Sequence, residues 1–184
     1  MFLTEGINDD SICYMIRVDK ATEEKLVEMQ KELKLDGELA EKGDFHATIR
    51  YIKTKMKPDL LIGFLEGSKL PTLKGKVYGF DVFGPTKDTL VLRLESKEIN
   101  DWFNRFDKFA NKHDYPKSVY PTYKPHITLT LKEGIEKPKW KNKYAIDVKF
   151  NIHVISGKGY KDIWVKEAEK TTLKESIIEK FINS

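Results

Sequence analysis

A single cysteine is the first thing the sequence has little of: Cys13 is alone among 184 residues. That excludes an internal disulfide, and its place in an apolar run gives it the expected role of a buried thiol. Nowhere does the chain carry the roughly 18 consecutive apolar residues that would span a bilayer. Residues 1–10 are polar and acidic and lack the apolar centre of a signal peptide. Glycine and proline, 11 and 7 in number, are scattered, so no linker divides the chain, and there is no low-complexity segment or basic tail. The expectation is one cytoplasmic domain over residues 1–184, long enough to bury a substantial core and without a membrane partner.

Charge, by contrast, is plentiful and of both signs. Charged residues make up 34% of the chain and leave a net +4, a surface that favours anionic ligands without demanding long nucleic acid.

Two short stretches then say nearly the same thing: Phe45-His46-Ala47-Thr48-Ile49 and Pro125-His126-Ile127-Thr128-Leu129. In a β-strand, side chains two apart leave one face, so each stretch presents an imidazole beside a hydroxyl and sends its apolar residues into a core. His113 and His153 stand outside the pattern: His113 reads as a helix-end residue near the terminal carbonyls, His153 as a partly buried strand residue.

The surroundings of the two stretches repeat as well. Residues 11–18 read as a strand, Asp19 and Thr22 as caps of a helix that Asp36-Gly37 stops, and residues 45–52 as the first motif strand. After a short helix ending near Gly67, residues 76–83 read as a strand turned by Gly84-Pro85. The unit then recurs: a strand at 89–94, a helix capped by Ser96 with the core stripe Ile99, Trp102, Phe103, Phe106 and Phe109, and the second motif strand at 126–131. A long alternating strand at 144–155 and a return strand at 162–166 read as the completion of the second lobe, followed by a packing helix at about 171–182. The fold class is therefore α+β: two pseudo-repeated lobes, about 11–84 and 89–167, each an antiparallel sheet with flanking helices, with the motif strands meeting in a central cleft.

Two imidazoles facing each other suit phosphodiester chemistry. With an ordinary pKa of about 6.5, one can take a proton from the attacking oxygen while the other gives one to the leaving oxygen, with no metal or other cofactor. Thr48 and Thr128 can donate to the non-bridging oxygens as charge shifts. A zinc site fits poorly, since Cys13 has no companion and no carboxylate follows either histidine at ligand spacing. Alternation adds Arg50 to the face of His46 and Thr48, and Lys124 and Thr130 to the face of His126 and Thr128; either cation is a candidate to bind phosphate, the alternative being a solvated edge charge. Tyr120 and Tyr123, in the loop before the second motif, are candidates to stack on a base.

On these residues the sequence resembles the 2H phosphoesterases, named for two His-x-Thr/Ser motifs in pseudo-repeated lobes, over about residues 11–165. The resemblance implies that His46 and His126 are the acid–base pair and Thr48 and Thr128 the phosphate-binding hydroxyls. The run from Phe45 to Thr48 with Tyr51 and Lys53 following, together with the second motif, looks most like the phage anti-CBASS branch, whose enzymes degrade the cyclic oligonucleotides bacteria use as immune signals. It also implies that Tyr14 matches the branch's base-contacting tyrosine. No residue matches its pocket tryptophan, because Trp102 sits on the core helix and Trp140 and Trp164 come too late. The partner implied is a small nucleotide or oligonucleotide, met in the host cytoplasm if the chain is phage-encoded. Processing of RNA ends, including 2',3'-cyclic phosphate and 2'-5' linkages, and a non-catalytic nucleotide-binding module remain open beside it.

Overall fold

The computed structural model describes residues 11–53, 58–116, 122–157 and 161–169. Strand β1 (Ser11–Val18) leads into helix α1 (Lys20–Glu32), whose N-cap Asp19 accepts a hydrogen bond from the Thr22 amide at 2.9 Å. The helix ends at Leu33, earlier than Asp36-Gly37, because Lys34 already takes a left-handed φ of 50°. A two-residue strand β2 (Glu38–Leu39), not anticipated from the sequence, precedes the first motif strand β3 (His46–Lys53). Helix α2 (Asp59–Glu66) and the long strand β4 (Leu73–Phe83) follow. The second unit is β5 (Thr89–Glu95), α3 (Lys97–Lys112) and β6 (His126–Leu131), with Ser96 capping α3 through the Ile99 amide at 3.0 Å. A 3-10 turn at Asn142–Tyr144 leads into β7 (Asp147–Ser156), shorter at its start than the alternation suggested, and β8 (Asp162–Glu167) closes the described chain. The helix expected at about 171–182 lies outside the described residues.

The eight described strands join one sheet in the order β2-β6-β5-β4-β7-β1-β3, with β8 added to β7, and every pairing among them is antiparallel. This corrects the division of the chain into consecutive lobes. Strand β4 pairs with β5, and the β7–β8 hairpin completes the β1–β3 half, so each repeat takes strands from the other's stretch of sequence. The motif strands sit at or next to opposite ends of this order, yet their Cα atoms come within 8 Å: the sheet curls until its ends approach. The main core lies on the helix side, where Ile16, Ala47, Ile49, Leu92, Ile127 and Leu129 meet the buried residues of α1 and α3. A smaller apolar cluster of Cys13, Met15 and Val154, with Tyr51 and Ile152 against it, lies apart from it.

One polar chain runs through the main core. The Trp102 indole N–H donates to the Tyr14 hydroxyl at 2.7 Å, the hydroxyl contacts His153 Nδ1 at 2.7 Å, and His153 Nε2 reaches the Pro71 carbonyl at 2.9 Å. The carbonyl can only accept, so Nε2 carries the proton and Nδ1 accepts from Tyr14; every member is satisfied by one tautomer. Burial holds His153 below the usual histidine range. Tyr14→Phe leaves Trp102 Nε1–H and His153 Nδ1 unpaired inside the protein, and a loss of about 2 kcal/mol or more is expected in urea unfolding.

The pH dependence of folding follows from the same burial. His46 and His126 are lowered as His153 is, so the unfolded chain binds protons more readily than the folded one. Stability should be level above the unfolded histidine pKa of about 6.5 and fall as the pH drops below it, a decline to be read from urea midpoints across that window.

Candidate active site

The strand pairs carrying the motifs repeat residue for residue. In the first, Arg17 pairs with His46, Ile16 with Ala47, Met15 with Thr48 and Tyr14 with Arg50, passing over Ile49. In the second, Arg93 pairs with His126, Leu92 with Ile127, Val91 with Thr128 and Leu90 with Thr130, passing over Leu129. Each motif strand thus carries a β-bulge immediately after its threonine. The start of each is pinned alike: the Val18 amide donates to the Phe45 carbonyl at 3.1 Å, and the Leu94 amide to the Pro125 carbonyl at 3.0 Å.

Both imidazoles are anchored by one device. His46 Nδ1 lies 2.6 Å from the Asp44 carbonyl and His126 Nδ1 2.8 Å from the Lys124 carbonyl, in each case two residues back along the chain. A carbonyl accepts only, so Nδ1 bears the proton and Nε2 keeps its lone pair for other chemistry. Burial is the main force lowering both pKa values, opposed by these carbonyls. Arg17 and the facing His126 lower His46 further while Asp162 raises it, and Arg93 lowers His126. Two imidazoles close enough to feel one another's charge, neutral at pH 7 and fixed in the same tautomer, form a pair able to take up and release protons. Thr48 and Thr128 stand beside them, both part-exposed, with the buried Cys13 hydrogen-bonded behind Thr48 and its thiol pushed up to about 12, chiefly by burial. The expectation of a buried thiol holds for Cys13.

Comparison with known proteins agrees with this geometry. The sequence profile described as Anti-CBASS protein Acb1 matches residues 11–157. The chain belongs to the Acb1 family. Its fold is that of the 2H phosphoesterases. Escherichia coli LigT, solved with 3'-AMP, superposes with a TM-score of 0.63 at 12% identity, over 89% of this chain and 100% of that one. TT0787 of Thermus thermophilus gives 0.65 at 13%, over 88% and 100%, and Usb1 of Kluyveromyces marxianus 0.56 at 7%, over 86% and 98%. No curated protein sequence matches the chain. Membership makes this Acb1-family chain a hydrolase of the 2H phosphodiesterase type.

Other residues singled out in the sequence are placed differently in this Acb1-family protein. Arg50 does not share the face of His46 and Thr48, because the bulge at Ile49 reverses the alternation. It is 2% exposed, and its guanidinium binds the Asp107 carboxylate of α3 and the Pro116 carbonyl. Thr130 turns inward for the same reason, and its hydroxyl donates to the Asp36 carbonyl at 2.7 Å. Tyr14, fully buried and bonded to Trp102 and His153, is not placed to touch a base. Tyr123 stacks on Phe103 of α3 with ring centroids 4.1 Å apart and planes 2° apart, a packing role. Lys124 has an exposed side chain, while its carbonyl holds His126. Tyr120 lies outside the described residues.

Sequence reasoning missed Arg17, Arg93, their carboxylate partners Asp162 and Asp81, and Phe83, whose ring stands edge-on to His126 at 4.9 Å. A signal for the arginines was present. Ile16-Arg17-Val18 and Leu92-Arg93-Leu94 occupy equivalent places in the two units. Among the described residues no three or more His, Cys, Asp or Glu side chains gather as metal ligands.

For Arg50 the expected outcome is structural. Arg50→Ala leaves the Asp107 carboxylate, among the described residues, with the Asn111 amide alone and takes a donor from the Pro116 carbonyl, and should cost about 3 kcal/mol in urea unfolding, the lower end of the range for a broken buried pair because Asp107 is about a third exposed. KM of the folded variant should be unchanged, whereas a phosphate-binding Arg50 would raise it.

Proposed function

We propose that the protein hydrolyses phosphodiester bonds of small nucleotides, cyclic oligonucleotide second messengers above all, by acid–base catalysis between His46 and His126 and without a metal ion. The observation that carries this is the matched anchoring of the two imidazoles, each with Nδ1 committed to the carbonyl two residues back and Nε2 left for the substrate. One Nε2 takes the proton from the attacking water or ribose 2'-hydroxyl as its oxygen bonds to phosphorus. The other histidine, protonated when it acts, gives its Nε2 proton to the departing ribose oxygen as that P–O bond breaks. Thr48 and Thr128 donate to the non-bridging oxygens as negative charge builds there.

Membership of a family described as anti-CBASS supports cyclic oligonucleotides as the substrate class. LigT, a fold relative, has been solved with 3'-AMP and with ATP, which supports small nucleotides in general and keeps RNA ends as the second reading. Such a substrate would be met in the cytoplasm; among the described residues no helix is long and apolar enough to cross a membrane.

The experiment is turnover of a panel of cyclic dinucleotides, cyclic trinucleotides, 2'-5' oligoadenylate and 2',3'-cyclic mononucleotides with EDTA present. Cleavage of the cyclic oligonucleotides should survive EDTA and fall by about 10²–10⁴-fold in His46→Ala and in His126→Ala. Preference for 2',3'-cyclic or 2'-5' substrates would move the assignment to RNA ends, binding without turnover would make the protein a nucleotide-binding module, and strict metal dependence would sink the mechanism.

The pH profile is a separate prediction. Both free-enzyme histidines are lowered by burial, so kcat/KM should be bell-shaped with its maximum on the acid side of about 6.5. A plateau extending above pH 7.5 would contradict the assigned pair.

A further inference from the structure

We propose that Arg17 and Arg93 are a second matched pair in the site, one per repeat, each gripping a non-bridging phosphate oxygen beside the histidine across the strand from it. The inference deepens the phosphodiesterase reading and rests on it for the identity of the anion.

Register is the first argument. Arg17 is paired with His46 and Arg93 with His126, and directly opposed residues of an antiparallel pair project from the same face with Cβ atoms about 5 Å apart. The pseudo-symmetry that brings the histidines together therefore brings the arginines with them, on the face that carries Thr48 and Thr128. This is the place Arg50 was expected to take and, because of the bulge, does not.

Unused donors are the second. A guanidinium has five N–H donors. Asp162 accepts two from Arg17, at 2.7 and 2.9 Å, and Asp81 accepts one from Arg93 at 2.8 Å. The Nε–H of each arginine is buried and finds no acceptor among the described residues. The Arg50 Nε–H is in the same position, so the donors that distinguish Arg17 and Arg93 are those at their part-exposed guanidinium ends, for which phosphate oxygens are acceptors of the right geometry. Both arginine side chains keep about a fifth of their surface exposed, so neither is sealed into the core as Arg50 is.

Support on Arg93 is the third. Its guanidinium lies between two aromatic rings, 5.9 Å from the centre of Tyr78 and 5.8 Å from that of Phe83, and Phe83 is the ring that stands against His126. Across the strand from Arg93 is Gly79, where an added Cβ would meet nothing within 4 Å. A stacked, carboxylate-tethered arginine facing open space is held in place before the anion arrives.

The pairing also adds to burial in keeping the histidines neutral. His46 faces Arg17 on β1, His126 on β6 and Asp162 on β8; His126 faces Arg93 on β5, itself tied to Asp81 on β4, and His46 on β3. Each arginine disfavours the imidazolium until a phosphate brings negative charge between them, at which point a histidine can hold the proton that the leaving group needs.

The test needs no turnover. Imidazole titrations by NMR and inorganic phosphate binding are measured on the wild type, Arg17→Gln, Arg93→Gln and the corresponding Lys variants. Arg17→Gln should raise the pKa of His46 and Arg93→Gln that of His126, each with a smaller change at the other histidine, and each should weaken phosphate binding about 10-fold or more. The Lys variants should restore the titrations but only part of the affinity, because lysine keeps the charge and loses the fork. Unchanged titrations and unchanged phosphate affinity in the folded Gln variants would overturn the proposal. If the Gln variants do not fold, full phosphate affinity in the Lys variants would overturn it equally. A wild-type protein that binds phosphate through these residues but cleaves nothing in the nucleotide panel would remove the hydrolase reading and leave this one standing.

Discussion

The site depends on strand register, and above all on what the two bulges do to it. A strand alternates its side chains without exception until a residue is inserted, and here one is inserted immediately beyond each threonine, at Ile49 and at Leu129. Up to that point His46 and Thr48, or His126 and Thr128, share the part-exposed face of their strand. Beyond it the order reverses, so that Arg50 and Thr130 turn toward the helices and tie the motif strands to their surroundings: Arg50 to Asp107 on α3, and Thr130 to the carbonyls around β2. Gln30 of α1 completes the second attachment by donating to the carbonyl of Leu129, the bulged residue itself, at 2.8 Å. The same irregularity therefore ends the face that carries the histidines and begins the attachment of its strand to the helix layer.

Electrostatics at the site runs against what its residues would do in water. Two imidazoles and two guanidiniums on one face would repel if all were charged, and burial together with the arginines resolves this by keeping the imidazoles neutral. Asp162 and Asp81 offset the cations that remain. The resting site is thus close to electrically balanced, and both arginines keep donors that no described residue uses. In the proposed mechanism a phosphate diester supplies the missing charge and acceptors together, which couples substrate arrival to the protonation that the leaving group requires.

Much of this was legible in the sequence, and the reason is the repeat. Elements from Ser11–Val18 to Asp162–Glu167 lie close to where apolar periodicity and caps put them, and the two His-x-Thr stretches stand in equivalent strands as their flanks implied. What failed did so for physical reasons that periodicity does not carry. A bulge is one residue of backbone, with no side-chain signature in Thr48-Ile49-Arg50, so alternation alone puts Arg50 on the wrong face. Tyr14 lies between apolar neighbours in its strand and could not announce that Trp102 and His153, far away along the chain, would satisfy its hydroxyl inside the core. The sharing of β4 and β7 between the halves is a property of pairing over long sequence separations, which alternation within a single strand leaves undetermined.

The overlooked arginines show how far a repeat can be used. Comparing the two units at their histidines stopped one strand short, because the first strand of each had been read only as an apolar run. Aligning those strands as well superimposes Ile16-Arg17-Val18 on Leu92-Arg93-Leu94, a charged residue at the same place in two stretches otherwise built for burial. A charge in a half-buried strand must be paired or face an opening. Here each is bound by a carboxylate and keeps about a fifth of its side chain exposed. The duplication that creates the histidine pair thus imposes a second pair on the strands beside it.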